Sequence, residues 1–208
     1  LNPAHLRDLA GRSAKTLREQ GAEQLWRDVK FRVGLAMHHD DWRHRADIPL
    51  RRELKAQRAA HLQGPKISII VPLYNTPAKL FDEMLQSVVR QTYTNWELVL
   101  VDASDADKRL EHRLPKAVPG TIVYEPIENG GIALNTTRGF ALAHGEYITL
   151  LDHDDVLYPN ALFEVVQTIQ NTGADFVYSD EIVLSADLKD LGGYHFKPDF
   201  APDYLRGV

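Results

Sequence analysis

The chain has 208 residues, a formal net charge of −5 and no cysteine. Without cysteine, a disulfide framework, a thiolate nucleophile and a cysteine-bound zinc cannot form, and the acidic balance provides no overall positive field for nucleic acid or an anionic membrane. No apolar run reaches the roughly 18 residues of a membrane span, and the first residues lack the apolar core of a signal peptide, so we expect a soluble chain in the cytoplasm.

Residues 1–64 are predicted to form a helical N-terminal extension. Apolar residues recur there at roughly helical spacing, at Leu17, Leu25, Val29 and Val33. A further helix is expected over 50–62, and Gly64-Pro65 marks the boundary of the next domain. The run His38-His39-Asp40-Asp41 contains metal-ligand residue types, but a compact site needs ligands from elsewhere in the chain, so we interpret it as a solvated helix end.

From residue 65 to 208, short β-branched runs alternate with amphipathic stretches. The runs predict strands at 66–73, 96–101, 121–124, 147–151 and 174–179. The stretches between them predict helices at 77–91, 131–144 and 159–171, with a less regular helical pattern at 105–114. Because most of the strand runs are nearly continuously apolar, we predict an α/β domain with a mainly parallel sheet between helices.

Four polar or glycine-containing clusters lie where this sheet would place a ligand site. Three follow predicted strands and one precedes a helix: Pro72-Leu73-Tyr74-Asn75, Asp102-Ala103-Ser104, Asn129-Gly130-Gly131 and Asp152-His153-Asp154-Asp155. Ligands of open α/β sheets collect at the carboxyl ends of the strands. We therefore expect the four clusters to converge on one edge of the sheet.

The run Asp152-His153-Asp154-Asp155 predicts a divalent metal site. Three aspartates within four residues repel one another, and a hard cation with oxygen ligands compensates them. Mn²⁺ or Mg²⁺ is expected, sharing its coordination with a substrate's phosphates, which indicates a nucleotide diphosphate. The alternative is a solvated turn with Asp155 capping the next helix, and the convergence of the four clusters favours the metal site.

The other clusters each allow two interpretations. Tyr74 is able to stack on a nucleobase or to lie half-buried in the core. Asp102 is able to accept the ring N–H of uracil or thymine or to cap the turn that follows it, and the two roles are compatible. Asn129-Gly130-Gly131 offers backbone amides for phosphate or sugar oxygens at a helix N-terminus, or is only a turn.

Over residues 66–205 the chain resembles the first part of a family 2 glycosyltransferase of the GT-A fold. Six runs carry the resemblance by their order and spacing: Ile69-Ile70-Val71-Pro72-Leu73-Tyr74-Asn75, Ser87-Val88-Val89-Arg90-Gln91-Thr92-Tyr93, Trp96-Glu97-Leu98-Val99-Leu100-Val101-Asp102, Glu128-Asn129-Gly130-Gly131-Ile132, Gly145-Glu146-Tyr147 and Leu150-Leu151-Asp152-His153-Asp154-Asp155. The resemblance implies a metal-dependent, inverting transfer of a sugar from a nucleotide-diphosphate donor.

The resemblance also implies roles for single residues. Pro72 and Tyr74 would surround the base, and Asp102 would bind its N3–H. Asp152 would lie near the ribose and sugar as part of the catalytic centre, and Asp154 would be the metal-binding carboxylate of the DxD motif. A catalytic base for the acceptor is implied in a later segment of the family.

The chain departs from the family pattern at two positions. The family often reads Ala-Arg-Asn-x-Gly after the Asn-x-Gly turn, whereas this chain reads Asn135-Thr136-Thr137-Arg138-Gly139, so an arginine contact to the diphosphate would come from Arg138 or be absent. Ala103 replaces a frequent second aspartate. Neither departure removes the metal site, and both would affect the choice of donor.

Two runs near the end of the chain resemble a smaller group within this family. The runs Tyr178-Ser179-Asp180-Glu181 and Phe196-Lys197-Pro198-Asp199-Phe200 resemble a subset of these enzymes that build bacterial surface polysaccharides. Asp180 and Glu181 would lie at a strand end and are the candidates for the acceptor base, although a donor-side or structural role is preferred. Because the chain ends at Val208, we expect part of a longer enzyme without its acceptor half.

The function expected from the sequence is glycosyl transfer from a UDP- or dTDP-sugar to a glycan or lipid-linked glycan acceptor, in polysaccharide biosynthesis. The whole protein would lie in the cytoplasm, with peripheral association at the inner face of the membrane and no nucleic-acid partner. One alternative is a non-catalytic nucleotide-sugar-binding or scaffold domain. Nucleotidyl transfer is less favoured, because the chain lacks a P-loop and any other glycine-rich triphosphate loop.

Overall fold

Four parallel strands form the central sheet, in the order β3-β2-β1-β4. Their bounds are β1 (Ile67–Leu73), β2 (Trp96–Asp102), β3 (Thr121–Pro126) and β4 (Tyr147–Leu150). The register pairs Ile67 of β1 with Trp96 of β2 and with Tyr147 of β4. The predicted fold class, a mainly parallel α/β sheet, is confirmed by this topology.

The computed structural model describes residues 51–184 and 191–197, which belong to the compact unit Arg51–Val208. The helices expected before Arg51 and the run 38–41 lie outside the described residues. Helix α1 (Arg51–Ala60) hydrogen-bonds to the rest of this unit, since the Gln57 side-chain amide donates to Glu164 at 3.0 Å and Arg58 donates to the Arg90 carbonyl at 3.0 Å. The compact unit therefore begins N-terminal to Gly64.

Three further helices cover the sheet close to their predicted bounds: α2 (Ala78–Val89), α3 (Ile132–Leu142) and α4 (Ala161–Thr172). The single helix predicted over 105–114 is wrong, because two 3-10 turns, Ala106–Lys108 and Glu111–Arg113, replace it. Leu110 between the turns is buried in the core at 8% exposure. Anchoring that leucine interrupts a continuous helix.

No helix in the described ranges is both long and apolar enough to cross a membrane.

The strand predicted at 174–179 is also wrong. A two-stranded antiparallel sheet follows instead, formed by β5 (Glu181–Leu184) and β6 (Leu191–His195). Phe176 and Tyr178 are 58% and 41% exposed, and their ring centroids lie 6.1 Å apart, so these aromatics contact each other rather than a covered sheet. Their β-propensity predicted a strand that the tertiary packing does not form.

Helices pack on both faces of the parallel sheet. On one face, residues of α2 and α4 pack on alternate strand residues, including Ile67, Ile69, Val71, Leu98 and Leu100. On the other face, Ile70, Val99 and Val101 lie beneath α3. A Cβ on Gly139 of α3 would lie 2.3 Å from Ile70 Cγ2, so this glycine permits the close approach of helix and strand.

A buried carboxylate fastens the amino-terminal end of the sheet. Glu97 is 2% exposed, and its Oε1 accepts hydrogen bonds from the Ser68 hydroxyl at 2.6 Å and from the His144 backbone N–H. Lys66 Nζ lies 3.1 Å from Glu97 Oε2. Burial raises the pKa of Glu97, but the bonds from Ser68, His144 and Lys66 outweigh it, and the pKa is lowered overall. Glu97 thus connects β1, β2 and the turn after α3.

We expect Glu97→Gln to lower the free energy of unfolding at neutral pH by about 2–3 kcal/mol, because the buried group that pairs with Lys66 and accepts hydrogen bonds from Ser68 and His144 loses its charge. The lowered folded-state pKa makes the carboxylate stabilising above its ordinary value, and this stabilisation disappears as the pH falls through the folded-state pKa. The difference from wild type should therefore shrink below about pH 4.5. Urea unfolding measures both effects.

The matched control is Glu146→Gln, which changes an exposed glutamate in the same turn region. This control should stay within roughly 0.5 kcal/mol of wild type. An equal loss in both variants, or a Glu97→Gln difference that does not change with pH, would contradict the role of Glu97 as a buried, ionised anchor.

Candidate donor-binding edge

The strand register brings the predicted clusters to one edge of the sheet. Leu73 at the end of β1 pairs with Asp102 at the end of β2, and Asp102 pairs with Pro126 at the end of β3. The Leu151 N–H donates to the Ile70 carbonyl at 3.0 Å, which places the chain after β4 beside β1. The predicted convergence of the segments after these strands is therefore observed.

The loops after β1 and β2 are hydrogen-bonded to each other through Asn75. Its backbone N–H donates to the Ser104 hydroxyl at 2.8 Å, and its side chain and the Asp105 residue exchange two hydrogen bonds of 3.2 Å. Asn75 has φ 49°, a left-handed conformation that asparagine tolerates better than most residues. The preceding residue, Tyr74, is 51% exposed, so its ring is open to solvent instead of lying in the core.

Asp102 is 1% exposed, and both of its carboxylate oxygens accept hydrogen bonds. Oδ1 accepts the Ser104 backbone N–H at 2.9 Å, which is the predicted turn cap. Oδ2 accepts the hydroxyl of Tyr124 on β3 at 2.5 Å. Burial, followed by the hydrogen bond to Asp102, raises the pKa of the Tyr124 phenol well above its ordinary value. The capping role is thus observed, and base recognition by Asp102 stays a prediction.

The Asn129-Gly130-Gly131 turn is held by asparagine side chains. The Gly131 N–H donates to Asn129 Oδ1 at 2.9 Å, and the Gly130 N–H donates to Asn135 Oδ1 at 3.1 Å. Asn135, buried at 4% exposure, also donates to Asn129 Oδ1 at 3.1 Å. The two glycine amides predicted to receive a phosphate therefore already have acceptors. Gly131 has φ 85°, which favours glycine there.

Helix α3 nevertheless opens toward solvent at its first turn. The first N–H groups of an α-helix have no partner within the helix, and no side chain caps this one. Ile132 and Leu134 are 75% and 65% exposed, so the helix start is not covered. Any anion at this turn would bind the amides of 132–134 in place of those of the two glycines.

Arg138 forms an ion pair with Glu125 of β3, with 2.9 Å between Nη2 and Oε1. The two side chains are 48% and 35% exposed. An exposed pair of this kind contributes little to stability, about 0–1 kcal/mol. The predicted contact of Arg138 with a diphosphate stays a prediction, and it would compete with this ion pair.

The aspartates after β4 form an exposed acidic turn, closed by a hydrogen bond of 3.1 Å from the Asp155 N–H to the Asp152 carbonyl. Partial desolvation, and then the charges of Asp154 and Asp152, raise the pKa of Asp155. Within the described ranges, no lysine or arginine forms an ion pair with these aspartates. The negative charge of the turn is therefore not compensated by a basic side chain there.

The carboxylate groups of this turn suit a hard divalent cation, because carboxylate oxygens are the ligands that Mn²⁺ and Mg²⁺ accept. The described residues contain no group of three or more histidine, aspartate or glutamate side chains arranged to enclose a metal ion. An ion held by Asp154 would therefore need ligands beyond those that the described residues group together, and the oxygens of a diphosphate and of water are of the type that such an ion accepts.

The structure corrects the position of Asp180 and Glu181. They lie at the start of β5 instead of the carboxyl end of a parallel strand. Asp180 accepts the Lys197 backbone N–H at 2.8 Å, and Glu181 contacts His195 at 2.5 Å and the Lys197 ammonium at 3.2 Å. The hydrogen bond to His195, and then that to Lys197, lower the pKa of Glu181. These contacts support a structural role for both carboxylates.

Two functional candidates were not foreseen from the sequence, Tyr124 and Asn135. Each contacts a residue that the sequence did single out, Asp102 and Asn129 respectively. Tyr124 lies in a strand pattern and Asn135 in a helix pattern, so their residue types carried no separate signal. The register of β2 with β3 would have placed Tyr124 near Asp102, but that register comes only from the structure.

Comparison with known proteins identifies the family. Residues 68–185 match the family described as glycosyl transferase family 2. The chain therefore belongs to family 2 of the glycosyltransferases, and its parallel sheet has the mainly parallel α/β architecture predicted from the sequence.

The relatives are considerably longer than this chain. It is 40% identical over 151 residues to the uncharacterized protein y4gI of Sinorhizobium fredii, covering 70% of this chain and 16% of that protein. It is 32% identical over 148 residues to the O-antigen biosynthesis protein RfbC of Myxococcus xanthus, covering 69% of this chain and 12% of that protein. The S. aureus TarS structure (residues 1–349) in complex with UDP aligns with 26% identity and a TM-score of 0.47, over 53% of this chain and 33% of that chain.

We expect Asn135→Ala to lower the free energy of unfolding by about 1–3 kcal/mol, because it removes a buried side chain that satisfies two partners in the turn before α3. Thermal unfolding measures the change. Asn171→Ala, at an exposed position near the end of α4, is the matched control and should stay within about 0.5 kcal/mol of wild type. Equal stability of Asn135→Ala and wild type would contradict the structural role of this network.

Proposed function

We propose that this chain provides the donor site of a glycosyltransferase that moves a sugar from a UDP- or dTDP-sugar to a glycan or lipid-linked glycan acceptor. The observation that carries the proposal is the placement, at the carboxyl edge of one parallel sheet in a family 2 protein, of an exposed aromatic ring and of an acidic turn that forms no ion pair with a described lysine or arginine. The name of the relative RfbC, an O-antigen biosynthesis protein, supports polysaccharide biosynthesis as the process.

Each end of the proposed donor has a matching group at this edge. Tyr74, half exposed beside Pro72, offers an aromatic face for the base. The Asp152 carboxylate would accept hydrogen bonds from hydroxyl groups of the ribose or of the sugar. Asp154 would hold Mn²⁺ or Mg²⁺ at the diphosphate. When bound, that cation would neutralise the charge that develops on the diphosphate leaving group.

The protein's own groups would orient the donor for an inverting displacement. The open first turn of α3 directs N–H groups and a positive dipole end toward solvent, which favours an anionic oxygen. Arg138 would reach the same anion only by leaving Glu125. Inversion also requires a base on the acceptor side. Glu181 is a poor candidate, since His195 and Lys197 already bind its two oxygens.

The chain covers 12–37% of the length of three curated relatives, so the activity of the whole protein is inferred and not observed. A non-catalytic nucleotide-sugar-binding or scaffold domain is the second candidate. The observation that favours it is the ion-paired state of Glu181, one of the two carboxylates that the sequence suggests as acceptor base. Turnover of a donor sugar separates the two candidates, because only the enzyme releases UDP from a UDP-sugar.

Calorimetric titration tests the donor site. We expect UDP or dTDP to bind in the presence of Mn²⁺, GDP to bind more weakly, and Asp154→Ala to reduce the metal-dependent affinity by roughly tenfold or more, because the cation loses its protein ligand. Asp175→Ala is the matched control, since this exposed aspartate follows α4 away from the acidic turn. Its affinity for UDP should equal that of wild type.

Two outcomes would contradict the proposal. Folded wild-type protein that binds no nucleotide diphosphate with either cation would rule out the donor site. Equal losses in Asp154→Ala and Asp175→Ala would show that the acidic turn has no special part in binding.

A second titration tests base recognition by Asp102. A methyl group on N3 of UDP removes the N–H that Asp102 is predicted to accept and leaves the diphosphate unchanged. We expect this analogue to bind wild type at least about tenfold more weakly than UDP, because a hydrogen bond to a charged acceptor is lost. Equal affinity for UDP and the analogue would leave Asp102 with the observed capping role alone.

A further inference from the structure

A continuous hydrogen-bond network runs from β3 to the loop after β1. It begins at the Tyr124 hydroxyl, which donates to Asp102 Oδ2 at 2.5 Å. Asp102 Oδ1 accepts the Ser104 N–H at 2.9 Å, and the Ser104 hydroxyl accepts the Asn75 N–H at 2.8 Å. The network therefore ends at Asn75, which directly follows Tyr74, the residue whose ring is proposed to meet the base.

Burial makes this network sensitive to each of its members. Asp102 and Ser104 are 1% and 5% exposed, so water does not readily replace a lost partner. The Tyr124 phenol has a raised pKa and keeps its proton at neutral pH, which makes it a permanent donor to the carboxylate. Removing that hydroxyl would leave Asp102 Oδ2 buried without its donor, and the carboxylate would be free to rotate away from Ser104.

The loop after β1, which contains Tyr74 and Asn75 and is called the Tyr74 loop, depends on hydrogen bonds from other segments, because Asn75 has φ 49°. This conformation is uncommon for a residue with a side chain and persists when surrounding bonds determine it. The surrounding bonds here come from Ser104 and Asp105, and Ser104 is itself held by Asp102. The orientation of Tyr74 is therefore coupled to a tyrosine on a strand two positions away in the sheet.

We propose that Tyr124 is a positioning residue for nucleobase binding, acting through Asp102 and Ser104 to hold the Tyr74 loop in the conformation that stacks on the base. This inference rests on the proposed donor site and adds a residue to it. Tyr124 need not touch the donor, so its effect falls on ligands that carry a base and not on the diphosphate group alone.

The test compares Tyr124→Phe with Tyr93→Phe, another tyrosine whose hydroxyl has a protein acceptor, the Pro65 carbonyl at 2.8 Å, before the amino-terminal end of β1. Each variant is titrated with UDP and with inorganic pyrophosphate, both with Mn²⁺. We expect Tyr124→Phe to lower the affinity for UDP about tenfold and to leave that for pyrophosphate unchanged. Tyr93→Phe should bind both ligands as wild type does.

A double-mutant cycle with Tyr74→Ala tests the path of the effect. If Tyr124 acts through the Tyr74 loop, Tyr124→Phe should cause no further loss of UDP affinity once Tyr74 is alanine. Additive losses, an unchanged affinity of Tyr124→Phe for UDP, or an equal loss for pyrophosphate would each overturn the inference while leaving the donor site intact.

Amide hydrogen exchange tests the network without any ligand. The Asn75 and Ser104 N–H groups should exchange faster in Tyr124→Phe than in wild type and at the wild-type rate in Tyr93→Phe. Failure of wild type to bind any nucleotide would contradict the proposed donor site and with it the effect on base binding. Unchanged exchange of both amides would overturn the positioning role itself.

Discussion

The parallel pairing of β1 with β2 is the constraint on which the candidate site depends. It places Leu73 opposite Asp102, and the Ala103 N–H extends the pairing by donating to the Leu73 carbonyl at 2.9 Å. The two loops therefore leave the sheet at the same level, close enough for Asn75 and Asp105 to exchange hydrogen bonds. A shift of register would separate these loops and remove the surface on which Tyr74 is displayed.

Negative charge is buried and paired at one end of the sheet and exposed at the other. At the amino-terminal end, Glu97 is buried, paired with Lys66 and hydrogen-bonded by two further groups, as a buried charge must be to avoid a large desolvation cost. At the carboxyl end, the aspartates of the 152–155 turn are exposed and mutually repulsive, and no basic side chain of the described chain is paired with them. The carboxylate that anchors the fold is therefore compensated within the protein, whereas the exposed aspartates form no ion pair with a described lysine or arginine.

The parts of the fold that follow from local pattern were predicted well. Continuous apolar runs such as Ile67–Leu73 and Trp96–Asp102 indicated strands covered on both faces, and the structure buries nearly every residue in them. The errors occurred where tertiary contacts decide the conformation, as at Leu110 and Phe176. The contacts of Asp102 with Tyr124, 22 residues away, depend on strand register, which residue type alone does not reveal. The ligand roles of Tyr74, Asp152 and Asp154 stay predictions.

The position of Arg138 shows how a departure from the family pattern remains compatible with the proposed donor site. Arg138 precedes Gly139, whose Cα faces Ile70, so the arginine side chain leaves α3 toward β3 and reaches Glu125. The pair is exposed, and such pairs contribute about 0–1 kcal/mol, so exchanging Glu125 for a diphosphate would cost the fold little. A diphosphate has more negative charge than one carboxylate and attracts the guanidinium more strongly. Glu125 would then bind Arg138 beside this edge in the absence of a donor, and Arg138 would exchange it for the diphosphate when a donor binds.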